Sequence, residues 1–301
     1  MPDTTRVILN GKGAANPAVR EAIYDLRRAG NTIEVRTTWE GGDAARLAVE
    51  AMSDGVDRLV AGGGDGTINE VVNGLLGASG RPDIDLGLLP LGTANDFARG
   101  CGIPLEPRDA LALAIEGTPV AVDAGKANDQ YFMNVASGGF GAEVTTSTPP
   151  DLKRVMGGGA YALVGILTAL KLEPYQGRMK GPDGDEEHAA LVMAVGNGRQ
   201  AGGGFQVTPN ARLDDGLLDV MIVRDFPGAA LGQVLDELQQ LDRADNEFVY
   251  YRQLPVVEIE ADREAPVNLD GEPQRWNNMR FECLPGVLSL VLPEDCPMLT
   301  R

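Results

Sequence analysis

One histidine, His188, occurs in 301 residues, and three cysteines, Cys101, Cys283 and Cys296, stand far apart with no CxxC pair among them. A Ser-His-Asp hydrolase or a histidine-rich zinc centre has little to work with in such a chain. The odd, scattered thiols form no disulfide framework; they suit a reducing compartment and read as buried or incidental. Basic residues are scarce too, with 26 Lys+Arg against 44 Asp+Glu for a formal charge of -18. That surplus repels polyanions, which excludes nucleic acid as a partner and disfavours loose adsorption to an anionic bilayer. Long apolar runs are also missing. The longest, Met156 to Leu170, holds 15 residues, short of the ~20 that span a bilayer, so no transmembrane segment is predicted. The chain opens with polar residues to Thr5 and a strand-like Arg6 to Leu9 rather than a signal-peptide pattern, which predicts a cytoplasmic protein.

What is present suffices for sizeable cores, since 43% of the residues are hydrophobic and the length allows two domains. The first 125 residues alternate short apolar runs with helical segments, the pattern of an open, mainly parallel α/β sheet. Strands are predicted at Val7–Leu9, Ile33–Arg36, Leu59–Ala61, Leu86–Leu89 and Val120–Val122. Asn16-Pro17 starts a helix that Gly30 can stop, and Asp43 starts another that Gly55 can stop. From residue 126 to 286 the texture changes to paired apolar runs at Tyr131–Val135, Ala190–Val195, Leu217–Val223, Val256–Ile259 and Val267–Leu269, as in a β-rich, sandwich-like domain. Helical segments interrupt it near Leu152–Leu170 and Ala229–Leu241. The closing run Val287–Leu292, within residues 287–301, is expected to return to the first domain.

The densest signal is Gly62-Gly63-Gly64-Asp65-Gly66-Thr67-Ile68-Asn69-Glu70, between a strand and a helix. Its glycines let the backbone approach a ligand, and Thr67 with Glu70 has the spacing of a capping box at a helix start. The positive end of that helix faces the loop, where phosphate is the natural guest. A lone glycine-rich turn can also be purely structural. A second loop, Leu91-Gly92-Thr93-Ala94-Asn95-Asp96-Phe97, repeats the arrangement after the next strand, with a cap spacing at Thr93 and Asp96. Two helix N-termini at neighbouring strand ends make a nucleotide-binding edge. Neither contains GxxxxGK[ST], so the site is not of the Walker type.

GGGDGTINE and LGTANDFA resemble the signatures of the diacylglycerol kinase catalytic domain and its bacterial lipid kinases, shared with sphingosine kinases and more distantly with the NAD kinase and phosphofructokinase superfamily. The likeness extends through Asn10-Gly11-Lys12, Thr38-Trp39-Glu40, Gly196-Asn197-Gly198 and Leu269-Asp270-Gly271-Glu272. It implies ATP as phosphate donor, contacted by Thr38, by Gly64, Asp65, Gly66, Thr67, Ile68, Asn69 and Glu70, and by Thr93. It makes Glu272 the general base, with Asp65 beside it in catalysis. It also implies a Mg²⁺ (or Ca²⁺) loop in which Arg212 and Leu217 give carbonyls and Asp215 its carboxylate. The implied acceptor is a glycerolipid hydroxyl, on phosphatidylglycerol or diacylglycerol, met transiently at a membrane surface.

The residues supply the same chemistry unaided: donors for phosphate, a place for a divalent ion and a carboxylate near the acceptor. Each carboxylate has a plainer alternative, as Asp65, Asp215 and Glu272 all sit in Gly-containing turns. Lys12 and His188 read as exposed, and Gly157 to Leu170 as either a core helix or the wall of an acyl channel. The functional alternatives are a kinase of a soluble metabolite, as in the NAD kinase branch, and a nucleotide-sensing module without catalysis.

Overall fold

The computed structural model describes residues 4–139, 173–181, 184–202 and 204–300. The helix expected near Leu152–Leu170, and the core-helix or acyl-channel reading of Gly157 to Leu170, lie outside the described residues.

Four strands open the fold: β1 (Thr4–Leu9), β2 (Thr32–Thr37), β3 (Arg58–Gly63) and β4 (Asp85–Pro90). They pair in parallel in the order β4-β3-β1-β2. Val7, Ile8, Leu59 and Val60 are fully buried because helices cover both faces of the sheet. The crossovers are α1 (Gly11–Ala14) with α2 (Pro17–Arg28), then α3 (Asp43–Ser53) and α4 (Asp65–Ser79). In α2 the Asn16 side chain accepts from Ala18 N, Pro17 follows at the first position, and Val19, Ala22, Ile23 and Leu26 form the buried stripe. Helices α5 (Asp96–Gly100) and α6 (Pro107–Glu116) follow β4.

The rest is antiparallel. In chain order come β5 (Pro119–Ala127), β6 (Gln130–Phe132), β7 (Val135–Gly139), β8 (Tyr175–Gly181), β9 (Gly184–Gly196), a short ribbon of β10 (Gln200–Ala201) and β11 (Phe205–Gln206), and β12 (Leu218–Arg224). They are followed by α7 (Leu231–Gln239), β13 (Val249–Leu254), β14 (Val256–Leu269) and β15 (Glu272–Val291). Strand β15 joins the two halves. Its first part pairs with β14, its later part with β5, and Ser289 and Leu290 lie parallel to β4. One buried cluster accordingly contains Leu75 and Leu86 from the parallel half with Val122, Met133, Leu213 and Leu290.

Several sequence expectations are corrected here. The run Tyr131–Val135 is two strands, because the backbone at Met133 and Asn134 turns to donate to a carboxylate described below. The runs Val256–Ile259 and Val267–Leu269 are one strand, β14, whose continuity is hidden by the exposed Asp262-Arg263-Glu264 stretch and a register shift between Glu260 and Ala265. The helix expected at Ala229–Leu241 is a 3₁₀ turn followed by α7. His188 is not exposed but 5% accessible, with Nδ1 accepting from Arg224 Nε at 3.1 Å and its ring edge-on to Tyr250. It sits within the middle of a 13-residue strand rather than in an acidic loop, and burial holds its pKa below the usual value. All three cysteines are buried and free. Among the described residues no helix is long and apolar enough to cross a membrane.

Helix α4 carries the first glycine loop, and its seat on α3 sets the loop's position. A Cβ at Gly74 would fall 2.5–2.9 Å from the Ala45 backbone, whereas one at Gly77 meets nothing within 4 Å. Gly74→Ala is therefore expected to cost about 1–3 kcal/mol by overpacking, and Gly77→Ala to be neutral or to gain up to about 1 kcal/mol from helix propensity. Denaturant unfolding of the pair checks this; equal effects would mean that α3 and α4 do not meet at this point.

Candidate active site

The two glycine loops touch. Gly64 is the N-cap of α4, and its carbonyl accepts from Thr67 N at 3.0 Å and Ile68 N at 3.2 Å, which leaves the Asp65 and Gly66 amides at the open end of the helix. A Cβ on Gly92 would fall 2.5 Å from Gly64 Cα, so two side-chain-free backbones make one continuous floor. The expected capping boxes are not formed. Thr67 is already the third helical residue, so Glu70 lies a turn further on and accepts instead from Gly42 N at 3.0 Å and Ala44 N at 3.2 Å, capping α3. In the second loop Asn95, not Thr93, is the N-cap. It adopts a left-handed φ of 52° and exchanges two hydrogen bonds with Gly92, at 2.8 and 2.9 Å. The Asp65 carboxylate completes this cap from the other loop, accepting from Asp96 N and Phe97 N at 3.3 Å each. Its charge is well placed at the start of α5.

Beyond this floor lies a cleft of about 870 Å³, with Asp65, Thr93 and Arg99 on one wall and Asn134, Asn268 and Asp270 on the other. The opposite wall hangs on the hairpin between β14 and β15. Leu269 pairs with Glu272, so Asp270-Gly271 is a two-residue turn, with φ of 51° and 107°. Inside it, the Asp270 carboxylate accepts from Met133 N at 2.7 Å, Asn134 N and Val135 N at 3.0 Å, and Asn69 Nδ2 at 3.3 Å. Asn69 belongs to α4, and so does Asn73, which exchanges 2.9 Å bonds with the Tyr131 backbone. The helix of the first loop is thereby docked on β6. Two residues after Asp270, Glu272 comes over that helix's open end: a Cβ at Gly66 would lie 3.4 Å from Glu272 Oε1.

The site residues read from sequence thus divide. Asp65 and Thr93 line the cleft, Gly64 and Gly66 belong to the adjoining loop floor with Glu272 close to Gly66, and Asn69 ties the Asp270 turn to α4. Ile68 points its side chain into the core and Glu70 turns to α3. Thr38 lies along the same sheet edge, with its amide on Leu9 O at 2.9 Å. Arg212, Asp215 and Leu217 do not line the cleft. Arg212 Nη1 donates to Leu299 O at 2.7 Å, which takes the guanidinium away from the turn, and Asp215 Oδ1 accepts from Leu217 N at 3.0 Å. Burial pushes the Asp215 carboxyl up, aided by Asp123 and Asp214. Among the described residues no cluster of three or more His, Cys, Asp or Glu forms a metal cage. Asp270 and Asn95 were absent from the sequence-derived set. The available signal was the Asp-Gly pair for the turn and the i, i+4 spacing of Asn69 and Asn73 for its partner face.

Burial raises the Asp270 carboxyl to about 6, against hydrogen bonds that pull it down. Its folded pKa exceeds the unfolded value of about 4, so the stability tied to this group is full below that value and is lost as pH rises through about 6. An amide at this position would turn an NH₂ toward converging N–H donors. Asp270→Asn is expected to cost about 1–3 kcal/mol from unsatisfied buried groups and to remove that part of the pH dependence. Thermal unfolding of both proteins from pH 4 to 7 checks this; superimposable curves would take the carboxylate out of the framework.

Residues 4–127 match the family model of the diacylglycerol kinase catalytic domain, and residues 134–292 that of the YegS C-terminal NAD kinase beta sandwich-like domain. The chain is similar to two proteins named "Probable lipid kinase YegS-like". The one from Chromohalobacter salexigens is 51% identical, with 99% of this chain and 96% of the relative covered. The one from Pseudomonas aeruginosa is 46% identical, with 99% and 97% covered. A crystal structure of a Bacillus anthracis protein assigned as a diacylglycerol kinase superposes with a TM-score of 0.80 at 28% identity, with 98% of this chain and 96% of that one covered.

Proposed function

The chain belongs to the diacylglycerol kinase catalytic-domain family, among its YegS-like lipid kinases, and from that premise we propose that it passes the γ-phosphate of ATP to a hydroxyl of a glycerolipid. The observation that carries this is the approach of Glu272 to Gly66, which sets a carboxylate opposite the open amide end of α4. The triphosphate lies on the Gly64–Gly66 backbone, with Thr93 beside it and Thr38 toward the nucleoside. The acceptor hydroxyl enters from the cleft, and Glu272 takes its proton as the oxygen attacks the γ-phosphorus and ADP leaves. Asp65, engaged with the amides of α5, fixes the loops to each other, which leaves Glu272 as the base. Phosphatidylglycerol and diacylglycerol are the acceptors that fit this kinship, met transiently at a membrane surface. With a net charge of -18 the chain is held from anionic lipid, so capture falls to the cleft.

The family also implies Mg²⁺. Asp215, a half-buried carboxylate, would hold such a hard cation with the Arg212 and Leu217 carbonyls, oxygen donors of the kind it prefers, and one carboxylate would make a weak site. A cation there would brace the turn that Asp123 ties to β15 through Gly216 N and Gly286 N, each at 2.7 Å.

Glu272→Gln is expected to keep ATP affinity while kcat on lipid in mixed micelles falls by roughly 10²-fold or more, the size of a general-base contribution. Near-normal turnover would return Glu272 to a hairpin role. Wild-type enzyme that phosphorylates NAD faster than any glycerolipid would overturn the acceptor assignment.

A further inference from the structure

Trp39 is 95% exposed, the most exposed large hydrophobic side chain among the described residues. A solvated indole of this kind adds nothing to the core. Its loop is nevertheless firmly held. Thr38 N donates to Leu9 O at 2.9 Å, Trp39 N and Glu40 N to Asp43 Oδ2 at 2.8 and 3.2 Å, and Gly42 N to Glu70 Oε2 at 3.0 Å. Asp43 is itself fixed by Arg46 at 2.8 Å, and that bond, with the backbone donors, brings its carboxyl down to about 2. The backbone is pinned on both sides of a ring that projects into water.

The ring's place along the sheet gives this arrangement a use. Trp39 follows β2, at the same strand ends as the phosphate-type loop after β3, and β1 is the one strand between them. Two strand spacings of about 4.8 Å separate the loops by roughly 10 Å, about the reach of a ribose between a triphosphate and its base. The surface between is open: Gly11 and Lys12, after β1, are exposed, and a Cβ on Gly11 would still lie 3.8 Å from Thr38 O. We infer that Trp39 is the stacking platform for the nucleobase of ATP, with the ribose lying over Gly11 and the phosphates on the loop after β3. A membrane anchor is the rival use of an exposed tryptophan. The carboxylates of Glu40, Asp43 and Glu70 around this loop, faced by Arg46, make it a poor seat for anionic headgroups.

This inference rests on ATP being the phosphate donor, and the test separates the two. Trp39 and Trp276 are the chain's two tryptophans, so the difference in intrinsic fluorescence between wild type and Trp39→Phe reports on Trp39. ATP is expected to quench the emission of the wild type and not that of Trp39→Phe. By calorimetry, Trp39→Ala is expected to bind ATP about tenfold or more weakly, the usual loss of a base-stacking partner, Trp39→Phe to keep most of the affinity, and both to bind inorganic tripolyphosphate like the wild type. Equal ATP affinity in wild type and Trp39→Ala would overturn the platform while the kinase stands. Equal losses for ATP and tripolyphosphate would mean a structural role and also overturn it. Emission that ignores ATP but shifts to the blue on phosphatidylglycerol vesicles in the wild type and not in Trp39→Phe would make Trp39 a membrane contact and overturn the platform. A wild type that binds no ATP by either method would instead remove the donor assignment itself.

Discussion

The fold of the active cleft depends on one carboxylate. Asp270 sits at a tight hairpin turn and collects three consecutive backbone N–H groups, from Met133 to Val135, and a side-chain amide from α4. Burying a carboxylate is costly without such partners, and leaving those donors without an acceptor would be costly as well. Each requirement satisfies the other, and the geometry that satisfies both is narrow. It breaks the run Tyr131–Val135 into two strands, seats α4 against β6, and sets Glu272 over Gly66.

Much of the acidic surplus works in the same way. Glu70 caps α3, Asp65 caps α5, Asp123 holds the amides of Gly216 and Gly286, and Glu237 accepts from Glu247 N, Phe248 N and Val249 N at 2.8–3.1 Å. Each is an anion at converging backbone donors, and most of them join segments distant in sequence. The charge of -18 is therefore more than a solubility device. It is partly the means by which a glycine-rich chain with open helix ends fastens its loops. Three of these carboxylates, Asp65, Glu70 and Asp270, lie in the motifs that resemble those of lipid kinases, where a carboxylate invites a catalytic reading. Their hydrogen bonds give them positioning work, in keeping with the proposal that Glu272 is the base.

The parallel half was largely legible from the sequence, because its apolar runs are continuous and its helix signals local: Asn16-Pro17 begins α2 and Gly30, at a φ of 107°, follows its end. The glycine loops could be recognised for the same reason. What the sequence concealed was most of the side-chain hydrogen-bond partners distant along the chain. Glu70 has the right spacing for Thr67 but bonds across to α3, and His188 sits in an acidic stretch that becomes part of a strand beside Tyr250. The role of Asp270 could not be read from a turn motif, since its partners lie more than 130 residues earlier. Local spacing identifies which groups can bond; the tertiary fold selects among them.

The central claim is that the Asp270 turn brings Glu272 to the phosphate floor. A crystal structure with a non-hydrolysable ATP analogue and a short-chain glycerolipid tests it most directly. The account predicts the γ-phosphate on the Gly64–Gly66 backbone and the acceptor hydroxyl between it and the Glu272 carboxylate, within hydrogen-bond reach of the latter. A triphosphate bound away from that backbone, or a Glu272 carboxylate turned out of reach of the hydroxyl, would contradict it.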